Sequence, residues 1–303
     1  MTSNYDIKGV YTAIVTPFKN DSQIDFERFE FLIDFQLKNG VTGVVLAGST
    51  GEGATLSNQE KISLIQHSKS VSGNRLKIMV GTGDNSTERT LELSLSAKAA
   101  GADSLLIVTP PYNRPNFQGL KKHYELISER VAIPICLYHV PGRTALILTP
   151  EQIAEICKIE YIIAVKEATG SMEFFSHAKI LTNANFLSGD DSTYLPSLVV
   201  GGSGVISVIS NLFPKAVMDL HNSFQKRDFD RALNVHNTLL PMIKVLFCES
   251  NPCPLKAAMY LEGMIQNELR LPLSPVSDDS FKKIASVLNN TKELLAKIGC
   301  GYE

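Results

Sequence analysis

Short runs of apolar, β-type residues alternate along the chain with longer stretches whose apolar positions fall three and four apart. Tyr11 to Thr16 is the first run. Behind it Phe29, Ile33 and Leu37 form a stripe at i, i+4 and i+8, opening at Asp25 and closing at Gly40. That spacing predicts a helix, with Gly40 placed where helices end in the left-handed region. Further runs cover Gly43 to Gly48, Leu76 to Gly81, Ser104 to Thr109 and Ile135 to Val140. Tyr161 to Val165 then leads into Lys166, and Asn185 to Gly189 and Gly204 to Ser210 complete the series. Ser57-Asn58-Gln59-Glu60 and Thr149-Pro150-Glu151-Gln152 read as helix starts, and Phe117 to Val131 as a helix. The segment Thr90 to Ala100 fits two periods. Leu91, Leu93 and Leu95 alternate as in a strand, whereas Leu91, Leu95 and Ala99 form a helical stripe. Ser86, a good N-cap, favours the helix.

Strand-helix units of this kind predict right-handed crossovers and a parallel sheet. Eight strands predict closure into a (β/α)8 TIM barrel. A doubly wound open sheet is the alternative, but no Gly-x-Gly-x-x-Gly follows the first run. Beyond the eighth run the period is helical only, over Pro214 to Gln225, Asp230 to Phe247 (kinked at Pro241), Leu255 to Met264 and Ser277 to Ile298. The expected organisation is a barrel with the active site over residues 1–225 and a C-terminal helical region over 226–303.

Composition narrows the class. The 303 residues are 44% hydrophobic and 20% charged, as in an ordinary globular enzyme, and the net charge of -2 gives no electrostatic case for nucleic acid or an anionic membrane. No apolar stretch approaches the roughly 18 residues of a membrane span, and Met1 to Gly9 lacks an export-signal pattern. Five scattered cysteines without zinc spacing read as buried free thiols, which fits a cytoplasmic setting. No two of the six histidines stand at helical metal-site spacing, so no metal is expected.

Candidate chemistry gathers at the ends of the runs. An ammonium ending a buried strand, as Lys166 does, loses hydration; burial of an unpaired amine favours its neutral, nucleophilic form. A salt bridge to Glu167 is the alternative. In a barrel the strand ends share one rim with the loops that follow them. To that rim the second run brings Gly48-Ser49-Thr50-Gly51-Glu52, whose hydroxyls and bare backbone suit a carboxylate or phosphate, or form a plain turn. The fourth presents Tyr112 in a proline-stiffened loop, equally suited to interface packing. The fifth carries Tyr138, a possible proton relay, and Arg143, whose fork can clamp a carboxylate. A core tyrosine and a solvated arginine are the alternatives there. Acidic caps and close packing account for Ser188-Gly189-Asp190-Asp191 and for Gly201 to Ile206. One lysine, two tyrosines, two hydroxyls and an arginine on one rim suit carbonyl chemistry through a Schiff base.

These motifs resemble the family of pyruvate-dependent class I aldolases that includes dihydrodipicolinate synthase and N-acetylneuraminate lyase. Gly48 to Glu52, Tyr138 and Lys166 match what the whole family shares. Pro111 to Pro115, Val140 to Thr144 and Lys166 to Gly170 resemble its dihydrodipicolinate synthase branch, as does Asn251-Pro252-Cys253-Pro254-Leu255-Lys256. The resemblance implies condensation of pyruvate with L-aspartate-4-semialdehyde to 4-hydroxy-tetrahydrodipicolinate, in diaminopimelate and lysine biosynthesis, with no separate cofactor. Lys166 would form the Schiff base, and Tyr138, Ser49 and Tyr112 would relay protons, Tyr112 from a neighbouring subunit of a homodimer or homotetramer. Thr50 and the backbone at Ile206 would hold the pyruvate carboxylate, with Gly189 beside the substrate and Arg143 guiding the semialdehyde. Ser49 stands where Thr is common and His139 where Asn is common, and His139 is expected to point away from the rim by alternation. Where relatives bind L-lysine as an inhibitor, Lys61 and Arg89 place positive charge, next to Asn58, Asn85 and Pro111. Insensitivity to L-lysine is therefore expected. A sialic-acid-type lyase or another 2-keto acid aldolase is the alternative activity, and a non-catalytic binding barrel lies further off.

Overall fold

The computed structural model describes residues 6–301, so the reading of Met1 to Gly9 falls partly outside the described residues. Eight parallel strands close into a barrel: β1 (Gly9–Ala13), β2 (Gly43–Leu46), β3 (Lys77–Gly81), β4 (Ser104–Val108), β5 (Ile135–His139), β6 (Ile162–Glu167), β7 (Asn185–Ser188) and β8 (Gly204–Ser207). Each pairs with the next, and β8 pairs back onto β1. That closure requires glycine at 204, where a Cβ would lie 2.0 Å from the Gly9 carbonyl oxygen.

Alternation sorts the strand side chains into two cores. Tyr11, Met79, Leu106, Cys136, Tyr138 and Ile206 belong to the cluster inside the barrel. Val10, Val44, Ile78, Leu105, Leu137 and Val165 face outward and pack with the helices. Each such fully buried Val, Leu or Ile contributes about 1.5–3 kcal/mol. On β6, therefore, Ala164 and Lys166 share the inward parity, whereas Val165 and Glu167 point into the helical layer.

The helix starts follow their caps. Asp25 accepts from the Arg28 N–H, and Ser57 with Glu60, and Thr149 with Gln152, form capping boxes. The segment after Ser86 is helical, Thr87–Ala99, but its buried face differs from the expected stripe. Leu91, Leu93, Ser94 and Ala97 are buried while Leu95 is exposed, because the small Ser94 and Ala97 let this face approach its neighbours. Two short helices, Pro141–Thr144 and Tyr194–Val199, had no sequence signal, since four and six residues are too few to establish a period.

After β8 come helices Pro214–Gln225, Phe229–Val245, Cys253–Leu261 and Asp278–Lys297. Phe229–Val245 packs on both Pro214–Gln225 and Asp278–Lys297, and it runs on through Pro241. All five cysteines are free. Cys136, Cys253 and Cys300 are buried as expected, but Cys157 is half-buried and Cys248 is exposed just beyond the end of Phe229–Val245, which corrects that expectation. Among the described residues no helix is long and apolar enough to cross a membrane.

Candidate active site

Strand pairing places the two central candidates side by side: Tyr138 on β5 is in register with Lys166 on β6. Lys166 Nζ lies 4.2 Å from the centre of the Tyr138 ring, a cation–π distance, and Lys166 is only 7% exposed. The alternative salt bridge to Glu167 is not formed. Glu167 accepts a hydrogen bond from the Thr169 N–H and lies 3.6 Å from His139 Nδ1, on the outer side of the sheet. His139 faces away from the rim as expected; its Nε2 accepts from the Leu148 N–H and its ring stacks on Phe174. Below Tyr138 on the inner face, burial pushes the Cys136 thiol up to about 12, so it stays protonated beside the amine.

Gly189 follows β7 and leaves room for the lysine. A Cβ there would lie 2.7 Å from Ala168 Cβ and 3.1 Å from Lys166 Cε. Ile206 is buried in the barrel interior, opposite Tyr11 on β1. The rim beyond it is set by Asp191, whose Oδ2 accepts from the N–H groups of Val208 (2.8 Å) and Ile209 (2.9 Å). Burial pushes this carboxyl up to about 6, against the stabilising pull of Ser207 and the two backbone N–H groups. Sequence reasoning gave Asp191 no more than a capping role.

Ser49, Tyr138 and Arg143 line one cavity of about 500 Å³. Lys166, Thr50, Gly189 and Ile206 are not among its walls; Lys166 adjoins it through Tyr138 and Thr50 through Ser49, while Gly189 lies beside Lys166. Arg143 sits on the short Pro141–Thr144 helix and reaches the Asn251 carbonyl at 3.4 Å. Thr50 accepts a 2.9 Å hydrogen bond from Asn251 Nδ2. Asn58, Lys61, Asn85, Arg89 and Pro111 line the outer part of the same cavity. Burial pushes the Lys61 ammonium down, Asp84 opposing and Arg89 adding to the effect. Tyr112 is the one candidate that its own chain does not bring in: it is 90% exposed and outside the cavity wall, at a φ of 71°. The described residues contain no group of His, Cys, Asp and Glu arranged to hold a metal.

Known proteins resemble this chain over most of its length. Residues 6–291 match the dihydrodipicolinate synthetase family. The 4-hydroxy-tetrahydrodipicolinate synthase of Fervidobacterium nodosum is 43% identical over 283 residues, covering 92% of this chain and 97% of that protein. The solved structure of the 4-hydroxy-tetrahydrodipicolinate synthase from Methylacidiphilum fumariolicum SolV superposes with a TM-score of 0.94 at 39% identity, over 97% of this chain and 99% of that one. A structure described as a monomeric dihydrodipicolinate synthase variant gives 0.92 at 40% identity, over 94% and 97%.

Proposed function

The chain belongs to the dihydrodipicolinate synthetase family, and from that premise we propose that Lys166 is the amine on which its chemistry is built. The protein is a lyase, a pyruvate-dependent aldolase that condenses pyruvate with L-aspartate-4-semialdehyde in the diaminopimelate route to lysine. The observation that carries the assignment of Lys166 is its place: inward on β6, buried, on the Tyr138 ring, with its acidic neighbour turned to the other face.

Lys166 Nζ attacks the keto carbon of pyruvate, and loss of water leaves an iminium. That positive charge acidifies the adjacent methyl group, whose proton leaves to give an enamine. The enamine carbon adds to the semialdehyde carbonyl, whose oxygen takes up a proton, and the iminium re-forms at Nζ. The amino group of the semialdehyde then attacks the iminium carbon, closing the ring as the bond to Lys166 breaks and the free amine is restored. Tyr138, beside Nζ, carries protons to and from these centres, with Ser49 across the cavity and Tyr112 of a neighbouring subunit completing the relay. Thr50 and the Ile206 backbone hold the pyruvate carboxylate, next to the space kept by Gly189. Arg143 clamps the carboxylate of the semialdehyde. No separate cofactor takes part, and the free thiols fit a reducing, cytoplasmic setting.

Borohydride reduction in the presence of pyruvate should attach a three-carbon unit at Lys166. Lys166→Ala should abolish both adduct and turnover while leaving the circular dichroism spectrum unchanged. A label on any other lysine overturns the assignment.

A further inference from the structure

The segment Asn251 to Lys256 stands out in the sequence, yet none of its residues has a place in the chemistry above. Structurally it joins the Phe229–Val245 and Cys253–Leu261 helices, far from β2 in the chain. In space it grips the loop after β2 at two points. Lys256 Nζ lies 2.5 Å from Glu52 Oε1, with both side chains wholly buried. Asn251 Nδ2 donates to Thr50 Oγ1 at 2.9 Å, and the Asn251 carbonyl accepts from Arg143 Nη2 at 3.4 Å. One residue thus touches both groups assigned to the substrates' carboxylates.

The direction of the first hydrogen bond matters chemically. A threonine hydroxyl has one proton to give and lone pairs to receive. With a lone pair of Thr50 occupied by the Asn251 amide, its proton is free for a carboxylate at the rim. Asn251 is only 6% exposed, and its Oδ1 has no hydrogen-bond partner among the described residues. The bond to Thr50 is thus the one side-chain hydrogen bond that replacing Asn251 removes. The backbone contact to Arg143 survives any such substitution.

We propose that Asn251 is a positioning residue: it fixes the polarity of the Thr50 hydroxyl as a donor toward the pyruvate carboxylate. The proposal rests on the reading of Thr50 as that carboxylate's partner. Asn251→Asp is the decisive variant, because it keeps the shape and reverses the polarity. A carboxylate at 251 accepts the Thr50 proton, withdraws it from the substrate and adds a negative charge near the pyruvate carboxylate. Asn251→Ala only removes the restraint.

Steady-state kinetics should show the pyruvate KM of Asn251→Asp raised about 10- to 100-fold, the scale of a lost hydrogen bond to a charged group. Asn251→Ala should show a smaller rise, and the semialdehyde KM should move less than threefold or so in both. Thr50→Val serves as the reference, and the effects of Thr50→Val and Asn251→Asp on the pyruvate KM should combine to less than their product in the double variant, because the part that acts through the Thr50 hydroxyl is lost only once. If Thr50→Val leaves the pyruvate KM unchanged, the carboxylate reading and the proposal fall together. If Thr50→Val raises it while Asn251→Asp is tolerated like wild type, the proposal alone falls, and Thr50 donates to the amide oxygen instead. Equal effects of Asp and Ala on both KM values also overturn it, leaving Asn251 a packing residue. Should Asn251→Asp fail to fold, the split between the two KM values in Asn251→Ala decides.

Discussion

Asp191 shows how much a single buried side chain can impose on this rim. Its carboxylate holds the first two N–H groups beyond β8, next to the backbone assigned to the pyruvate carboxylate. Burial raises its pKa from 3.8 to about 6, so between those values the folded protein binds a proton that the unfolded chain releases. Stability from this group is therefore complete below pH ~4 and is lost as pH rises through about 6, by about 3 kcal/mol. The unfolding free energy of wild type minus that of Asp191→Asn should accordingly decline from pH 4 to pH 7 in denaturant titrations. A pH-independent difference would show that the carboxyl is not perturbed in this sense. Lys166, Tyr138 and Arg143 stand out in the sequence because each lies near or just beyond the end of an apolar run. Sequence spacing could not locate Asp191 against Val208, or Asn251 against Thr50, which are separated by 17 and 201 residues. Contacts of that kind are made by the fold and leave no period in the chain.

At the level of elements, six of the eight apolar runs extend one to three residues past the C-terminal ends of their strands, whereas β3 ends with its run and β6 continues past Val165 through Lys166 to Glu167. Ala47, Thr109, Val140 and Gly189 continue the sequence pattern just beyond the assigned strands. The last strand residues and those that follow them together face the rim of a barrel. The capped helices were legible from their caps, with the face of Thr87–Ala99 misjudged because leucines outweighed the small residues that set close packing. The helical extension shares the apolar core outside the barrel, and a buried ion pair ties the two together as well. Glu52 and Lys256 form an ion pair with no exposed surface, and the Arg270 N–H also donates to Glu52. Burial pushes the Lys256 ammonium down, and the Glu52 carboxylate beside it opposes this. Lys256→Met should destabilise the protein by about 3–5 kcal/mol, because buried Glu52 loses its ion-pair partner. Adding Glu52→Gln should recover much of that loss in chemical denaturation. If the double variant is as unstable as the sum of the singles, the two charges do not interact as the distance implies.

The whole molecule raises a question that one chain does not answer by itself, and Tyr112 poses it. Its backbone sits in the left-handed region at a φ of 71°, a conformation costing about 1–2 kcal/mol for a residue with a side chain. The loop is nevertheless held: the Asn113 side chain donates to the Asn85 carbonyl at 2.8 Å, and the Asn113 N–H to the Pro111 carbonyl. Pro111 lines the cavity, whereas the tyrosine beside it is 90% exposed, so little burial within the described residues offsets the strain. The proposed role of Tyr112 in a partner subunit's relay requires that the active unit be at least a dimer. Two inactive proteins, Tyr112→Phe and Lys166→Ala, should then complement each other. In a mixed dimer one site receives the Lys166 of the first chain and the Tyr112 of the second, so that site is intact. Random pairing makes about half of the dimers mixed, each with one working site, so activity should return to roughly a quarter of wild type. Native mass spectrometry of the mixture would verify that mixed dimers form. Their presence without recovered turnover would mean that Tyr112 serves the site of its own chain or stands outside the relay.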